Sequence, residues 1–255
     1  MLLITPYGRL GNNIIQIFSC IFDNIHMYKH KEISLELLIK HQPIIFKNFP
    51  KTFVFDFLEE NTEIITNTFF GTKTPMNNTE KGEIINKYIK PYISYDLEDN
   101  YGINFEEDLI IHIRSGDVFN ESFSLDRYIQ PPYIFYKKII EEHIYKKIYI
   151  CSENKNLNPV IPKLLEEYSN IVFLPNSLEI DFKIMLNAQI FVTSNSSLSE
   201  AINSLSTKKH IFSTGYGIGI RNTLCQYNIY RYPNYYKTQF SSYDEKINLL
   251  LNYKE

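Results

Sequence analysis

From residue 105 onward the chain alternates short apolar runs with amphipathic segments, and this rhythm constrains its fold more than any other feature. Residues 109–113, 147–151, 171–174, 190–193 and 210–212 read as strands. Between them residues 132–143, 159–168, 180–188 and 197–204 read as helices, with a closing helix over 243–252. Strands that alternate with helices predict an α/β fold, a parallel sheet with helices on both faces. The amino-terminal part starts the same way, with a strand over 1–5 and a helix over 12–28 whose Ile14, Ile15, Phe18, Ile21, Phe22 and Ile25 share one broad face. Residues 29–104 carry short strand candidates at 33–35, 53–55 and 64–65, and polar loops such as 72–80. A change of texture over 96–106 sets the expected boundary: one domain over 1–104, a second over 105–255.

Composition narrows the class. Apolar residues make up 44% of the chain, enough for a full core. The net charge is −3 and no basic run exceeds three residues, which argues against a dedicated nucleic-acid binder. The three cysteines, Cys20, Cys151 and Cys225, have neither disulfide-framework nor zinc spacing and read as buried thiols. No run approaches the ~18 apolar residues of a membrane helix, and the start lacks the charged region of a signal peptide. These features predict no integral membrane segment and a cytoplasmic protein, of a bacterium or of a virus-infected host cell.

Three segments carry chemistry. The first is Gly8-Arg9-Leu10-Gly11-Asn12-Asn13, between the first strand and first helix, where two glycines suit a sharp turn and a close ligand approach. It is neither a P-loop nor a G-x-G-x-x-G fingerprint. The second is His112-Ile113-Arg114-Ser115-Gly116-Asp117, at the end of a buried strand. The carboxyl edge of a parallel sheet is where α/β proteins bind phosphorylated ligands. Arg114 stays charged and grips a diphosphate with paired hydrogen bonds. The third is Ser194-Asn195-Ser196-Ser197-Leu198-Ser199-Glu200, whose hydroxyls and N–H groups at a helix start suit either capping or phosphate binding. No D-x-D pair occurs, so the usual carboxylate seat for Mg²⁺ or Mn²⁺ in metal-dependent sugar transfer is missing from the sequence. Asp117 and Glu200, then Asp126, are the carboxylates nearest the motifs that suit a general base.

In order and spacing, G-R-L-G-N, H-x-R-x-G-D and S-N-S-S-x-S resemble the three motifs of the fucosyltransferase superfamily. The resemblance is closest to bacterial-type α-1,2-fucosyltransferases (glycosyltransferase family 11-like) and extends to α-1,6- and protein O-fucosyltransferases. It implies a GT-B fold, two Rossmann-like α/β/α domains facing a cleft. It also implies a metal-independent, inverting transfer of L-fucose from GDP-fucose to a glycan hydroxyl. By it, Arg114 would bind the donor diphosphate, His112 and Asp181 would sit by the base and ribose, and Ser196, Ser197 and Ser199 would line the phosphates. Gly11 and Asn12 would lie against the donor sugar and phosphate from the opposite domain. The catalytic set expected is Arg114, Asp117 and Asn12, with no metal and no separate cofactor. The partners expected are the nucleotide-sugar donor and a glycan acceptor. Relatives usually carry a second arginine where this chain has Ser115, with Arg9 or Arg221 as possible substitutes. That departure keeps open another deoxysugar donor, rhamnose-like and linked to GDP, UDP or dTDP. A non-catalytic glycan- or nucleotide-binding relative is the reading from a different class.

Residues 215–219, with three glycines in five, read as a loosely specified loop. Tyr227, Tyr230, Tyr232, Tyr235 and Tyr236 read as compositional background, and His26, His30 and His41 as surface residues. Sequons fall at Asn77, Asn120 and Asn195.

Overall fold

The computed structural model describes residues 1–57, 63–69, 71–73, 78–119, 129–206, 209–215 and 225–254. The chain divides into two compact units, Met1–Ser94 with Asn203–Leu205, and the described residues from Tyr95 onward apart from that stretch.

The first unit is built on a four-stranded sheet. Its strands are β1 (Leu2–Ile4), β2 (Glu32–Ser34), β3 (Thr52–Val54) and β4 (Ile65–Asn67), in the order β3-β2-β1-β4. β1 pairs in parallel with β2 and β4, and β3 runs antiparallel to β2. Helix α1 (Leu10–Asp23) follows β1 and continues through one π-helical segment, Asn24–Tyr28. Its apolar face is buried as the 3.6-residue spacing predicts, with Ile14, Ile17, Phe18 and Ile21 at most 2% exposed. Lys29 then turns left-handed at φ 56°, and Asn24 closes the end by exchanging hydrogen bonds with the backbone of His30. His30 is thereby fully buried, a correction to its expected surface position; His26 and His41 are exposed. Helices α2 (Glu36–His41) and α3 (Asn78–Ile84), followed by a second π segment at Ile85–Ile89, complete the unit.

The second unit holds a six-stranded sheet in which every pairing is parallel. Its strands are β5 (Leu109–His112), β6 (Ile148–Cys151), β7 (Ile171–Leu174), β8 (Ile190–Val192), β9 (His210–Ser213) and β10 (Gln226–Ile229). Helices α4 (Tyr133–Glu142), α5 (Val160–Glu167), α6 (Leu178–Asn187) and α7 (Ser197–Leu205) connect successive strands. α8 (Pro233–Lys237) and α9 (Tyr243–Asn252) close the chain. The spatial order β10-β9-β8-β5-β6-β7 is that of the doubly wound Rossmann sheet. The central strands are apolar runs because helices cover both faces: Leu109, Ile110, Ile111, Ile148, Ile150, Phe191 and Val192 are fully buried. Each such side chain contributes about 1.5–3 kcal/mol of burial.

Tyr232 and Tyr235 are 1% exposed and belong to this core, a correction to the reading of the tyrosine-rich tail as background. Among the described residues no helix is long and apolar enough to cross a membrane.

Candidate functional site

The switch point of the second sheet lies between β5 and β8, where the winding direction reverses. Side chains leaving the carboxyl ends of these two strands face one crevice, because the crossovers before and after diverge to opposite sides. The second motif leaves β5 and the third leaves β8. The fold therefore brings together, at one sheet edge, two segments eighty residues apart in sequence, which alternation alone did not require.

They are joined directly. His112, the last residue of β5, places Nδ1 2.7 Å from Ser199 Oγ and 3.0 Å from Ser194 Oγ. Ser199 Oγ also accepts from the Ser194 N–H, at 3.1 Å. His112 is 7% exposed, and burial, with the Arg114 charge beside it, lowers its pKa to about 3. The ring is thus neutral and serves as a fixed polar strut. Ser196 is the N-cap of α7 and accepts from the Ser199 N–H at 3.1 Å. Ser197 opens the helix and is half-buried. Glu200 lies in the first turn, on the side of charge the helix dipole favours.

Arg114 is 19% exposed at its side chain, and its Nη2 donates to both carboxylate oxygens of Asp117, at 3.3 and 3.4 Å. Asn158, 1% exposed, donates from Nδ2 to the Arg114 carbonyl at 2.9 Å and accepts from the Val160 N–H at the start of α5. Gly116 has φ +74°, and a Cβ there would meet Glu153 Oε2 at 2.4 Å. Lys246 of α9, 5% exposed, donates to the Val118 carbonyl at 3.2 Å and so braces the turn that carries Asp117. Ser115 is 2% exposed; its Oγ accepts from Ser152 Oγ at 3.0 Å and from the Asn154 N–H at 3.2 Å. Position 115 thus ties the loop after β5 to the loop after β6.

Asp181, in the first turn of α6, is 6% exposed. Burial raises its pKa to about 7, while the Asn176 amide and the Cys151 thiol, at the end of β6, pull weakly the other way. Asn195 anchors the third motif. Its Nδ2 donates to the Ile129 carbonyl at 2.6 Å and to Tyr236 Oη at 3.1 Å, and its Oδ1 accepts from Thr214. With its amide committed in this way, the sequon at Asn195 is a structural residue. Asn158, Lys246 and the Tyr236 hydroxyl were not singled out from sequence. Only Asn158, placed just before Pro159, carries a local signal, since Asn-Pro marks a turn.

The first motif belongs to the first unit. Gly8 makes the turn at φ +70°, and a Cβ on it would lie 2.0 Å from Asn12 Nδ2. Gly11 makes no turn: α1 begins at Leu10, so Gly11 and Asn12 stand in its first turn, with Arg9 as an N-cap that makes no side-chain cap bond. Asn13 and Gln16, both fully buried, hold the loop from below. Gln16 Nε2 donates to the carbonyls of Thr5, at 2.8 Å, and Thr68, while its Oε1 accepts from the Tyr7 N–H and from Asn13. One glutamine thereby joins the carboxyl ends of β1 and β4, the reversal point of that sheet. Asp126, Arg221, residues 216–219 and the sequons at Asn77 and Asn120 lie outside the described residues.

No protein-family model matches the chain, and no curated protein matches it in sequence. Among solved structures it is similar to POFUT1 in complex with GDP-fucose, with 11% identity and a TM-score of 0.36, over 66% of this chain and 54% of that one. It is also similar to the E. coli heptosyltransferase WaaC with ADP, with 10% identity and a TM-score of 0.43, over 89% of this chain and 92% of that one. The chain spans about half the length of the POFUT1 structure that it matches.

Proposed function

We propose that the chain is a glycosyltransferase of GT-B architecture that takes a sugar from a nucleoside-diphosphate donor. The observation that carries this is the β5/β8 switch point, where a neutral His112 is strutted to Ser194 and Ser199 beside Arg114. Arg114 receives the donor diphosphate. The Ser196–Ser199 start of α7 supplies hydroxyls and helix-end N–H groups to the same phosphates. Breaking the sugar–phosphate bond loads negative charge on the diphosphate, and fixed donors in a shaped crevice are the main means of stabilising it. The reading needs no metal and no separate cofactor, the donor itself being a substrate. Asp117 holds the guanidinium, and we assign it the acceptor's proton. By the motif resemblance we assign Asn12 and Gly11 to the donor sugar and Asp181 to the base.

L-fucose carried by GDP, moved to a glycan hydroxyl with inversion in an α-1,2 linkage, is the donor and product we favour, on the motif resemblance. A UDP- or dTDP-linked deoxysugar is the second reading. It is favoured by Ser115, whose buried hydroxyl is spent on Ser152 and Asn154 where relatives carry a second cation.

Calorimetric titration with GDP-fucose, a UDP-sugar and a dTDP-sugar, in EDTA, tests the reading. Selective binding of GDP-fucose, weakened about thirtyfold or more by Arg114→Ala, is the expected result; charge-assisted pairs of this kind cost about 2–5 kcal/mol when one partner is removed. Binding that is indifferent to Arg114→Ala would refute the diphosphate clamp.

A further inference from the structure

The amino edge of the second sheet carries a cavity that the donor site does not use. It has a volume of about 490 Å³ and lies at the opposite ends of the strands from His112 and Arg114. β8 and β9 form its base with Ile190, His210 and the buried Phe212. The connection from α4 to β6 lines one side with residues 143–146, and the approach to β5 contributes Glu106 and Glu107. Its shape is preset. The His210 ring stacks on Phe212 at 4.7 Å between centroids, and His143 tilts against the same ring at 5.5 Å. Ile144 is fully exposed and stands on the rim.

The rim also carries opposite charges that do not meet. Glu107 accepts from Asn104 at 3.0 Å, but among the described residues neither the Glu106 carboxylate nor the Lys146 ammonium has a hydrogen-bond or ion-pair partner. A phosphorylated ligand is disfavoured here. Helices α4, α6 and α7 end at this edge, at Glu142, Asn187 and Leu205, and turn the negative ends of their dipoles toward it. A rim that bears an apolar knob, a cavity and both signs of charge is instead complementary to its own copy turned about a two-fold axis. We propose that this edge is a docking surface for a second copy of the chain. Ile144 of each copy enters the cavity of the other, and Lys146 of each meets Glu106 of the other. Such a contact closes on itself, so association stops at two. A patch centred on one cavity is at the small end of specific interfaces, and the dimer dissociates at about 10–100 μM.

Sedimentation velocity of the whole chain from about 5 to 500 μM, a range that brackets this dissociation constant, tests the proposal. A monomer–dimer equilibrium is expected. Ile144→Asp, at an exposed position that leaves the core untouched, should weaken the dimer about tenfold or more. Lys146→Glu and Glu106→Lys, each alone and each checked for folding by circular dichroism, should do the same by setting like charges opposite one another. Mixed in equal amounts, these two variants should pair again, because each offers the sign that the other lacks. A chain that stays monomeric over the whole range, assemblies larger than two, or dimers indifferent to all three substitutions would overturn the proposal. So would charge variants that remain monomeric when mixed.

Discussion

His112 and Asp181 give the protein opposing responses to acid, and single substitutions should unmask each. His112 titrates near 3 in the folded chain and near 6.5 when unfolded. Between those values the unfolded state binds more protons, so its contribution is full above the upper value and is lost as pH falls. Asp181 is the reverse: about 7 folded against 3.8 unfolded. The folded state binds more protons in that window, so its contribution is full below the lower value and is lost as pH rises. The windows overlap from 3.8 to 6.5. One proton is worth about 1.4 kcal/mol per pH unit, so the span from pH 4.5 to 6.0 is about 2 kcal/mol for each group. In the wild-type chain the two cancel. Asp181→Asn leaves the histidine alone, and unfolding free energy should then rise by about 2 kcal/mol over that span. His112→Gln leaves the acid alone, and it should fall by about as much. Urea unfolding at half-unit steps from pH 4.5 to 6.0, followed by far-UV circular dichroism, measures all three proteins. Slopes that stay parallel across the set would refute the account of both buried groups.

Other expectations follow from single contacts. Gly8→Ala places a Cβ on Asn12 at a left-handed position and should cost about 1–2 kcal/mol in urea unfolding. Gln16→Leu strips partners from the Thr5 and Thr68 carbonyls and the Tyr7 N–H; a loss of about 2–4 kcal/mol is expected. Ser196→Ala removes the α7 cap, about 1 kcal/mol by denaturation, and should also weaken nucleotide-sugar binding measured by calorimetry. Lys209, 2% exposed, donates to the Met185 carbonyl at the end of α6, and burial lowers its pKa to about 7. Its folded value lies below the unfolded one, so the chain should gain stability as pH rises from 7 toward 9.5, and Lys209→Met should flatten that gain.

Much of the second unit was legible because its code is local. Runs such as Leu109-Ile110-Ile111 alternating with amphipathic segments read as buried parallel strands, and each observed strand there from β5 to β9 begins within one residue of the start read from sequence. The three motifs were legible because glycine, arginine and serine clusters interrupt that pattern. What escaped has one cause: the partner lies far away in sequence. Lys246 reads as a polar residue on a surface helix until α9 brings it to Val118. Tyr235 and Tyr236 read as composition until their hydroxyls meet the Gln130 carbonyl and Thr214. Gln16 sits on an apolar helix face with nothing local to say that it closes two strand ends. Helix α1 begins at Leu10, two residues before the expected Asn12, because an uncapped helix start has no signal to mark it.

Ser115 shows how the edge balances charge. The arginine expected there from the motif resemblance would have to fit where the side chain is 2% exposed and bonded to the neighbouring loop. The loops from β5 and β6 would separate, and Arg114, whose carbonyl is held by Asn158 across the same gap, would shift with them. At this position Ser115 supplies rigidity through its two hydrogen bonds to the neighbouring loop. Arg114 is held in place from three different elements: Asn158 on its carbonyl, Asp117 on its guanidinium, and Lys246 on the turn that carries Asp117. A fixed single arginine distinguishes ligands by geometry more than by total charge, since a misplaced phosphate gains little from a guanidinium that cannot follow it. The consequence is measurable by substitution: Asn158→Ala, far less drastic than removing Arg114, should weaken nucleotide-sugar binding about tenfold by loosening the guanidinium, and Asn158→Asp should do the same while keeping the α5 start capped. Binding unchanged in both would mean that Arg114 finds its place without the loop that holds it.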